Sequence, residues 1–207
     1  TPVEITGDDL LFLQYTGGTT GLSKGATLTH RNLVANIEQF SALAGDMIRD
    51  GEEVVITALP LYHIFALMVN CLSYFTKGGR NVLITNPRDM PGFVAELSNW
   101  KFSVITGVNT LFNGLLHTPG FAECDFSNLR LTGGGGTAIQ EAISNKWREV
   151  TGQHITEGYG LSETSPVATF NVPGQDEFTA TIGVPLASTD IVLRGDEGED
   201  VAQGEPG

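Results

Sequence analysis

Apolar positions in this chain alternate between two spacings. Short β-branched runs stand at Val54 to Leu59, Val82 to Thr85, Phe102 to Thr106, Leu129 to Thr132 and His154 to Glu157, and each reads as a strand. Between most of them the apolar residues recur at helical intervals. After Thr29, a fitting N-cap, Leu33, Ile37, Phe40 and Ala44 follow one another at steps of four, three and four and so share one face. Thr137-Ala-Ile-Gln140 fits a capping box, and Ile139, Ile143, Trp147 and Val150 then form a stripe that Gly152 ends. A third helix is predicted from Pro91 with Phe93, Leu97 and Trp100 inward, and Leu61 to Phe75 reads as a fourth, buried helix. Strands alternating with helices predict an α/β fold, a parallel sheet flanked by helices.

From Pro166 onward the texture changes. Val167 to Phe170, Ile182 to Val184 and Ile191 to Leu193 are short and separated by Gly, Pro and Asp, which predicts a smaller, mainly antiparallel β part or barrel packed on the α/β part. The division expected is an α/β core over 1–165 and the start of a β-rich subdomain over 166–207. No internal repeat is visible. The first residue is Thr, and the chain stops at Gly-Glu-Pro-Gly after a turn-rich loop that ought to lead into another strand, so an excised fragment is expected.

Candidate chemistry gathers in the glycine-rich breaks between these elements. Behind the apolar run Leu10 to Leu13 lies Tyr15-Thr-Gly-Gly-Thr-Thr-Gly-Leu-Ser-Lys-Gly-Ala26. Gly17, Gly18, Gly21 and Gly25 let backbone N–H groups approach oxygen atoms without a Cβ in the way. Thr16, Thr19, Thr20 and Ser23 add hydroxyls, and Lys24 adds a mobile positive charge, so the segment suits a polyphosphate. It is not a Walker A loop, because Lys24 is preceded by Ser23 and followed by Gly25. A solvated Gly/Thr linker would not need a strand immediately before it and an amphipathic helix immediately after.

Gly133 to Gly136 joins a strand to the helix expected at Thr137, at what would be the carboxyl end of a parallel strand, the edge that ligands favour. Four successive glycines allow a flat ligand or an acyl chain to lie against bare backbone. Glu157-Gly-Tyr-Gly-Leu-Ser-Glu-Thr164 again follows a strand. Tyr159 offers a face for stacking a base, Ser162 a hydroxyl, and Glu163 the hard oxygen that Mg²⁺ accepts alongside substrate phosphates. On its own Ser-Glu reads equally well as a helix cap and its first-turn acid. His63, in an apolar setting, reads on its own as a satisfied core residue, and His30, His117 and His154 lack metal spacing.

Bulk properties narrow the partners. A formal net charge of −13 argues against nucleic acid or an anionic membrane surface as the main partner. Cys71 and Cys124 lack metal or framework spacing and read as buried free thiols, which with no membrane-length apolar run and no targeting segment predicts a soluble cytoplasmic protein.

Taken together and in this order, the motifs resemble the adenylate-forming superfamily of acyl-CoA synthetases, luciferases and peptide-synthetase adenylation domains. Its Thr/Ser/Gly-rich signature is similar to Tyr15 to Ala26, its Pro-x-x-His element to Pro60 to His63, and its Tyr-Gly-x-Thr-Glu element to Tyr159 to Glu163, with Ser162 in place of the usual Thr. Arg88 to Phe93, Ile105 to Phe112 and the Gly133 to Gly136 run look most like bacterial long-chain fatty-acid–CoA ligases. The resemblance implies a fragment of the large N-terminal domain of an enzyme that converts a fatty acid to an acyl-adenylate with ATP and Mg²⁺, then to acyl-CoA with coenzyme A. It places Thr16 to Lys24, flanked by Tyr15 and Gly25, on the β- and γ-phosphates, Ser162 on the α-phosphate and Glu163 on Mg²⁺. Tyr159 and Gly134, Gly135 and Gly136 would frame the adenine, with Glu157, Gly158 and Gly160 in the same nucleotide site. His63 would lie near the acyl carboxylate as the catalytic residue, and the stretches Leu61 to Phe75 and Val108 to Leu116 would wall an acyl tunnel.

The family's Thr-Gly-Asp element and its C-terminal domain with the catalytic lysine would follow Gly207, so this fragment is expected to be inactive alone. Partners implied are fatty acid, ATP and CoA and no nucleic acid, with oligomeric state and peripheral contact of the full-length protein with the inner membrane left open. Other carboxylate specificities, aryl or amino acid, and a non-catalytic nucleotide-binding module are the alternatives.

Overall fold

The computed structural model describes residues 3–16, 23–175 and 177–207. Its centre is a seven-stranded sheet in the order β4-β3-β5-β6-β7-β8-β9. These strands are β3 (Val54–Thr57), β4 (Arg80–Leu83), β5 (Val104–Gly107), β6 (Leu131–Gly134), β7 (Ile155–Gly160), β8 (Val167–Phe170) and β9 (Val184–Pro185). From β4 to β7 every pairing is parallel, and β8 and β9 add antiparallel edges. Side chains alternate across the sheet as a buried two-faced strand requires. Ile56 and Ile105 point to a cluster with Phe93, Phe112 and Trp147, which come from α3 (Met90–Leu97), α4 (Asn109–Leu116) and α5 (Glu141–Thr151). Val55 and Val104 point the other way, to Phe40 of α1 (His30–Ala44) and to Met68 and Tyr74. The result is a layer of helices on each face.

A separate two-stranded sheet holds the amino end. The sequence reading runs from the glycine loop straight into a helix, but a second strand intervenes: β1 (Leu10–Thr16) pairs antiparallel with β2 (Lys24–Thr29), Tyr15 opposite Gly25 and Thr16 opposite Lys24. Ala26 and Leu28 alternate with polar residues at period two, and Leu28 packs on Leu33 and Ile64. Thr29 then caps α1 as predicted. Its hydroxyl accepts from Asn32 N at 3.3 Å and its own N–H donates to Asn32 Oδ1 at 2.9 Å.

Other expectations shift. The capping box at Thr137 does not form, and α5 starts at Glu141. The N–H groups of Ile139 and Gln140 instead donate to Glu157 Oε1 and Asn109 Oδ1, both at 2.9 Å, so tertiary partners replace the local cap. Strands β5, β6 and β7 run on into glycines that β-propensity would stop at, because extended glycine backbone pairs with its neighbours like any other. Residues 61–63 form a turn, and the buried helix that follows is a π-helical stretch (Ala66–Leu72) continuing into α2 (Ser73–Thr76). The hydroxyl of Ser73 donates to the carbonyl of Met68 at 3.0 Å, closing the wide turn, and Phe75 at its end is exposed. Residues 191–193 form no strand and stay exposed. Both cysteines are free, Cys124 buried and Cys71 half-buried. Among the described residues no helix is long and apolar enough to cross a membrane.

The amino ends of the parallel strands are closed by a polar cluster. Glu53, just before β3, is fully buried and accepts from Arg130 Nη2 at 2.5 Å, from Arg49 N at 2.6 Å and from the Ser103 hydroxyl. Replacing Glu53 by Ala strands a largely buried guanidinium and is expected to cost about 3–5 kcal/mol. The double change to Glu53→Leu and Arg130→Met is expected to recover most of that loss. Urea unfolding midpoints of the single and double variants check both expectations.

Candidate nucleotide-binding site

The opposite edge of the sheet is open. At the carboxyl ends of β6 and β7, where pairing turns from parallel to antiparallel, lies a cavity of about 370 Å³. Thr16 from the end of β1 lines it, with His63, Ile64, Phe65 and Val69 from the Pro60 turn and π-helical segment. Gly134 to Gly136, Gly158 to Glu163, Pro166, Val167 and Phe170 complete the wall. Four stretches of the chain, spread from residue 16 to residue 170, therefore meet at one place.

Glycine makes room for it. A Cβ on Gly135 would lie 3.3 Å from the Phe65 ring and 3.4 Å from the Gly158 carbonyl, filling the slit between them. At Gly160 a Cβ would overlap the Pro166 carbonyl at 1.9 Å, so the bulged register between Tyr159 and Gly160 tolerates no side chain there. The turn that follows is pinned by Thr164, which the sequence reading did not single out. Its hydroxyl oxygen accepts from Leu161 N at 2.8 Å while its O–H donates to Pro166 O. With that turn held through Thr164 and the backbone, Ser162 and Glu163 are left to line the cavity, beside a Tyr159 ring that is 45% exposed.

His63 is not the buried residue that its apolar neighbours suggest. It is exposed on the cavity wall, and its Nδ1 accepts from Phe65 N at 3.2 Å, which leaves the proton of a neutral ring on Nε2. Gln14 of β1 donates to Tyr62 O at 2.8 Å and ties the hairpin to this turn.

Gly17, Gly18, Thr19, Thr20 and Gly21 lie outside the described residues. Their flanks are joined: Thr16 Oγ1 donates to Lys24 O and Ser23 Oγ to Thr16 O, each at 3.3 Å. Tyr15, Ser23, Lys24 and Gly25 do not line the cavity, and Gly25 sits beside the Tyr15 ring. No residue of Val108 to Leu116 lines it either. Glu157 is turned away, its side chain holding Ile139 N, although Gly158 and Tyr159 beyond it reach the wall. Among the described residues no three His, Cys, Asp or Glu cluster to form a metal cage. Glu163 nevertheless presents a single carboxylate on this wall, a donor of the kind that magnesium accepts when other oxygens complete its shell.

A family model described as AMP-binding enzyme matches residues 1–207. The chain belongs to this family. It is 54% identical over 204 residues to a long-chain-fatty-acid–CoA ligase of Yersinia pestis and 52% identical to that of Escherichia coli O157:H7, covering 99% of this chain and 36% of each relative. ATP-bound MatB from Rhodopseudomonas palustris superposes with a TM-score of 0.84 at 27% identity, over 98% of this chain and 39% of that one. The chain thus spans little more than a third of the length of the curated relatives it matches.

Burial pushes the Glu157 carboxyl above its ordinary 4.5, against the opposing pull of the Ile139 N–H. The folded state therefore binds the proton more tightly than the unfolded chain, so this group's contribution to stability falls as pH rises from 4.5 through the raised value. Glu157→Gln keeps an acceptor for Ile139 and removes the titration. Unfolding midpoints across pH are expected to show the variant gaining on the wild type over that window and levelling off above it.

Proposed function

We propose that, in the full-length protein, this chain forms the nucleotide site and part of the acyl site of an AMP-forming long-chain fatty-acid–CoA ligase. The observation that carries the reading is the convergence of Thr16, His63, Gly134 to Gly136, Tyr159, Ser162 and Glu163 on one cavity whose remaining wall is apolar. Relatives named as such ligases at 50–54% identity favour a fatty acid over aryl or amino acid substrates.

A carboxylate is a poor acyl donor because its leaving group would be oxide. Attack by a carboxylate oxygen on the α-phosphorus of ATP forms an acyl-adenylate and breaks the bond to pyrophosphate. The sulfur of CoA then forms the thioester as AMP departs and the thiol proton passes to solvent. The first step brings an anion to a polyanion, so its barrier falls mainly through positioning and charge neutralisation. Tyr159 and the bare strip Gly134 to Gly136 offer two faces for the adenine, and the Ser162 hydroxyl on the same wall would donate to the α-phosphate. Thr16, on the same wall, would donate its hydroxyl to the outer phosphates. Glu163 would hold magnesium, which supplies charge neutralisation on the phosphate oxygens. The Nε2–H of His63 is available to orient the acyl carboxylate, and Ile64, Phe65 and Val69 offer its chain an apolar wall.

Full-length protein given ATP, magnesium, CoA and palmitate is expected to release AMP and pyrophosphate and to form palmitoyl-CoA. Glu163→Gln is expected to lower that rate by about 100-fold and to raise the magnesium needed for half-maximal rate. Nucleotide binding without turnover would point instead to a binding module. Preference for an aryl or amino acid would relocate the protein within its family.

A further inference from the structure

The hairpin β1–β2 shares no strand pairing with the main sheet, yet Thr16 at its tip lines the same cavity as Ser162 and Glu163. Two parts of one phosphate site thus sit on separate sheets, and their spacing must be set by packing. Part of the seam is direct, since β2 packs against the turn at 162–164. The other part runs through the interior of α1.

Asn36 lies in the middle of that helix and is 3% exposed. Its amide acts like a peptide unit toward β8: Nδ2 donates to Val167 O at 2.8 Å, and Oδ1 accepts from Val167 N at 3.0 Å. Val167 lines the cavity and follows Pro166, whose carbonyl holds both the Leu161 N–H and the Thr164 hydroxyl. The bond pair therefore ends one residue from the framework of the turn that carries Ser162 and Glu163. In the other direction, β2 ends at Thr29, and Thr29 caps α1 directly, so strand and helix are joined without a linker. One turn on, Gln39 Oε1 accepts from Asn36 Nδ2 at 3.3 Å while its Nε2 donates to Ala187 O at 2.6 Å, but Gln39 makes no contact with the Val167 backbone bonds themselves. An apolar side chain at 36 would suit the neighbouring Ile37, Phe40 and Phe170 but would leave both backbone groups of Val167 unpaired in the interior, at about 1–3 kcal/mol each.

We infer that Asn36 is a positioning residue whose buried amide sets the β1–β2 hairpin against the Ser162–Glu163 turn and thereby tunes the grip on the polyphosphate end of a nucleoside triphosphate. This rests on the reading of the cavity as an ATP site. Asn36 itself does not line the cavity, so it acts only through Val167 and the hairpin.

The test compares MgATP with AMP, which lacks the two outer phosphates, by calorimetric titration of the full-length protein well below its unfolding temperature. Asn36→Leu keeps the volume and removes both bonds. It is expected to raise the MgATP Kd about tenfold, equivalent to about 1.4 kcal/mol, and to change the AMP Kd by less than about twofold. Gln39→Ala, behind the joint, is expected to leave both constants near wild type. If Asn36→Leu does not fold, Asn36→Ala, which leaves room for water at the Val167 backbone, carries the same expectation. Equal weakening of both nucleotides, or weakening of neither, would show a residue that serves stability alone and overturn the inference. Wild-type protein that binds MgATP but forms no acyl-CoA would overturn the ligase reading while leaving this one standing. Wild-type protein that binds no MgATP would overturn both.

Discussion

Between the Phe65 ring and the carbonyl of Gly158 a Cβ at position 135 would sit at 3.3 and 3.4 Å, tighter than side chains ordinarily pack, so glycine is what keeps this slit open. The cavity exists because backbone, not side chain, forms this wall. A sheet whose strands ended here in valine or isoleucine, as β3 does in its interior, would close the gap with hydrocarbon. Gly134 is paired on both sides and Gly135 N donates to Gly107 O, so much of this bare wall has its polar groups engaged before a planar ring lies against it.

The two edges of the parallel sheet are handled in opposite ways. At the amino ends, Glu53, Arg130, Ser103 and Arg49 saturate one another, and the group is sealed. Nearby, burial and the Glu53 charge push the Tyr74 phenol far above its ordinary range, so it stays neutral. At the carboxyl ends, the polar groups of Tyr159, Ser162, Glu163 and His63 are instead set on an open wall. A closed polar cluster fixes strand order, whereas an open one keeps donors and acceptors available to a ligand.

Long-range polar contacts then hold the open edge in shape. Gln14 fastens the hairpin to the Tyr62 carbonyl, Glu157 fastens the entry to α5, and Asn36 fastens α1 to β8. Each ties a cavity-lining segment to an element distant in sequence, so the wall is built of loops and strand ends but braced like a core.

The alternation of short apolar runs with helical stripes was enough to foretell a parallel sheet between helices. It could do so because burial on one face imposes a period that any reader of the chain can count. The glycines at 134 to 136 and the hydroxyl and aromatic types at Thr16 and Tyr159 likewise pointed to a ligand-facing wall, whereas His63 read on its own as core and Ser162-Glu163 equally as a helix cap, because a lone residue type does not say which way its side chain faces. What the chain did not disclose was partnership. The strand β2, the strand extensions into glycine, the failed cap at Thr137 and the buried location of Asn36 all depend on which backbone groups find partners on other elements. Local propensity contains no term for a partner on another element. A hydrogen bond between Asn36 and Val167 becomes visible only once folding has brought helix and strand within 3 Å of each other.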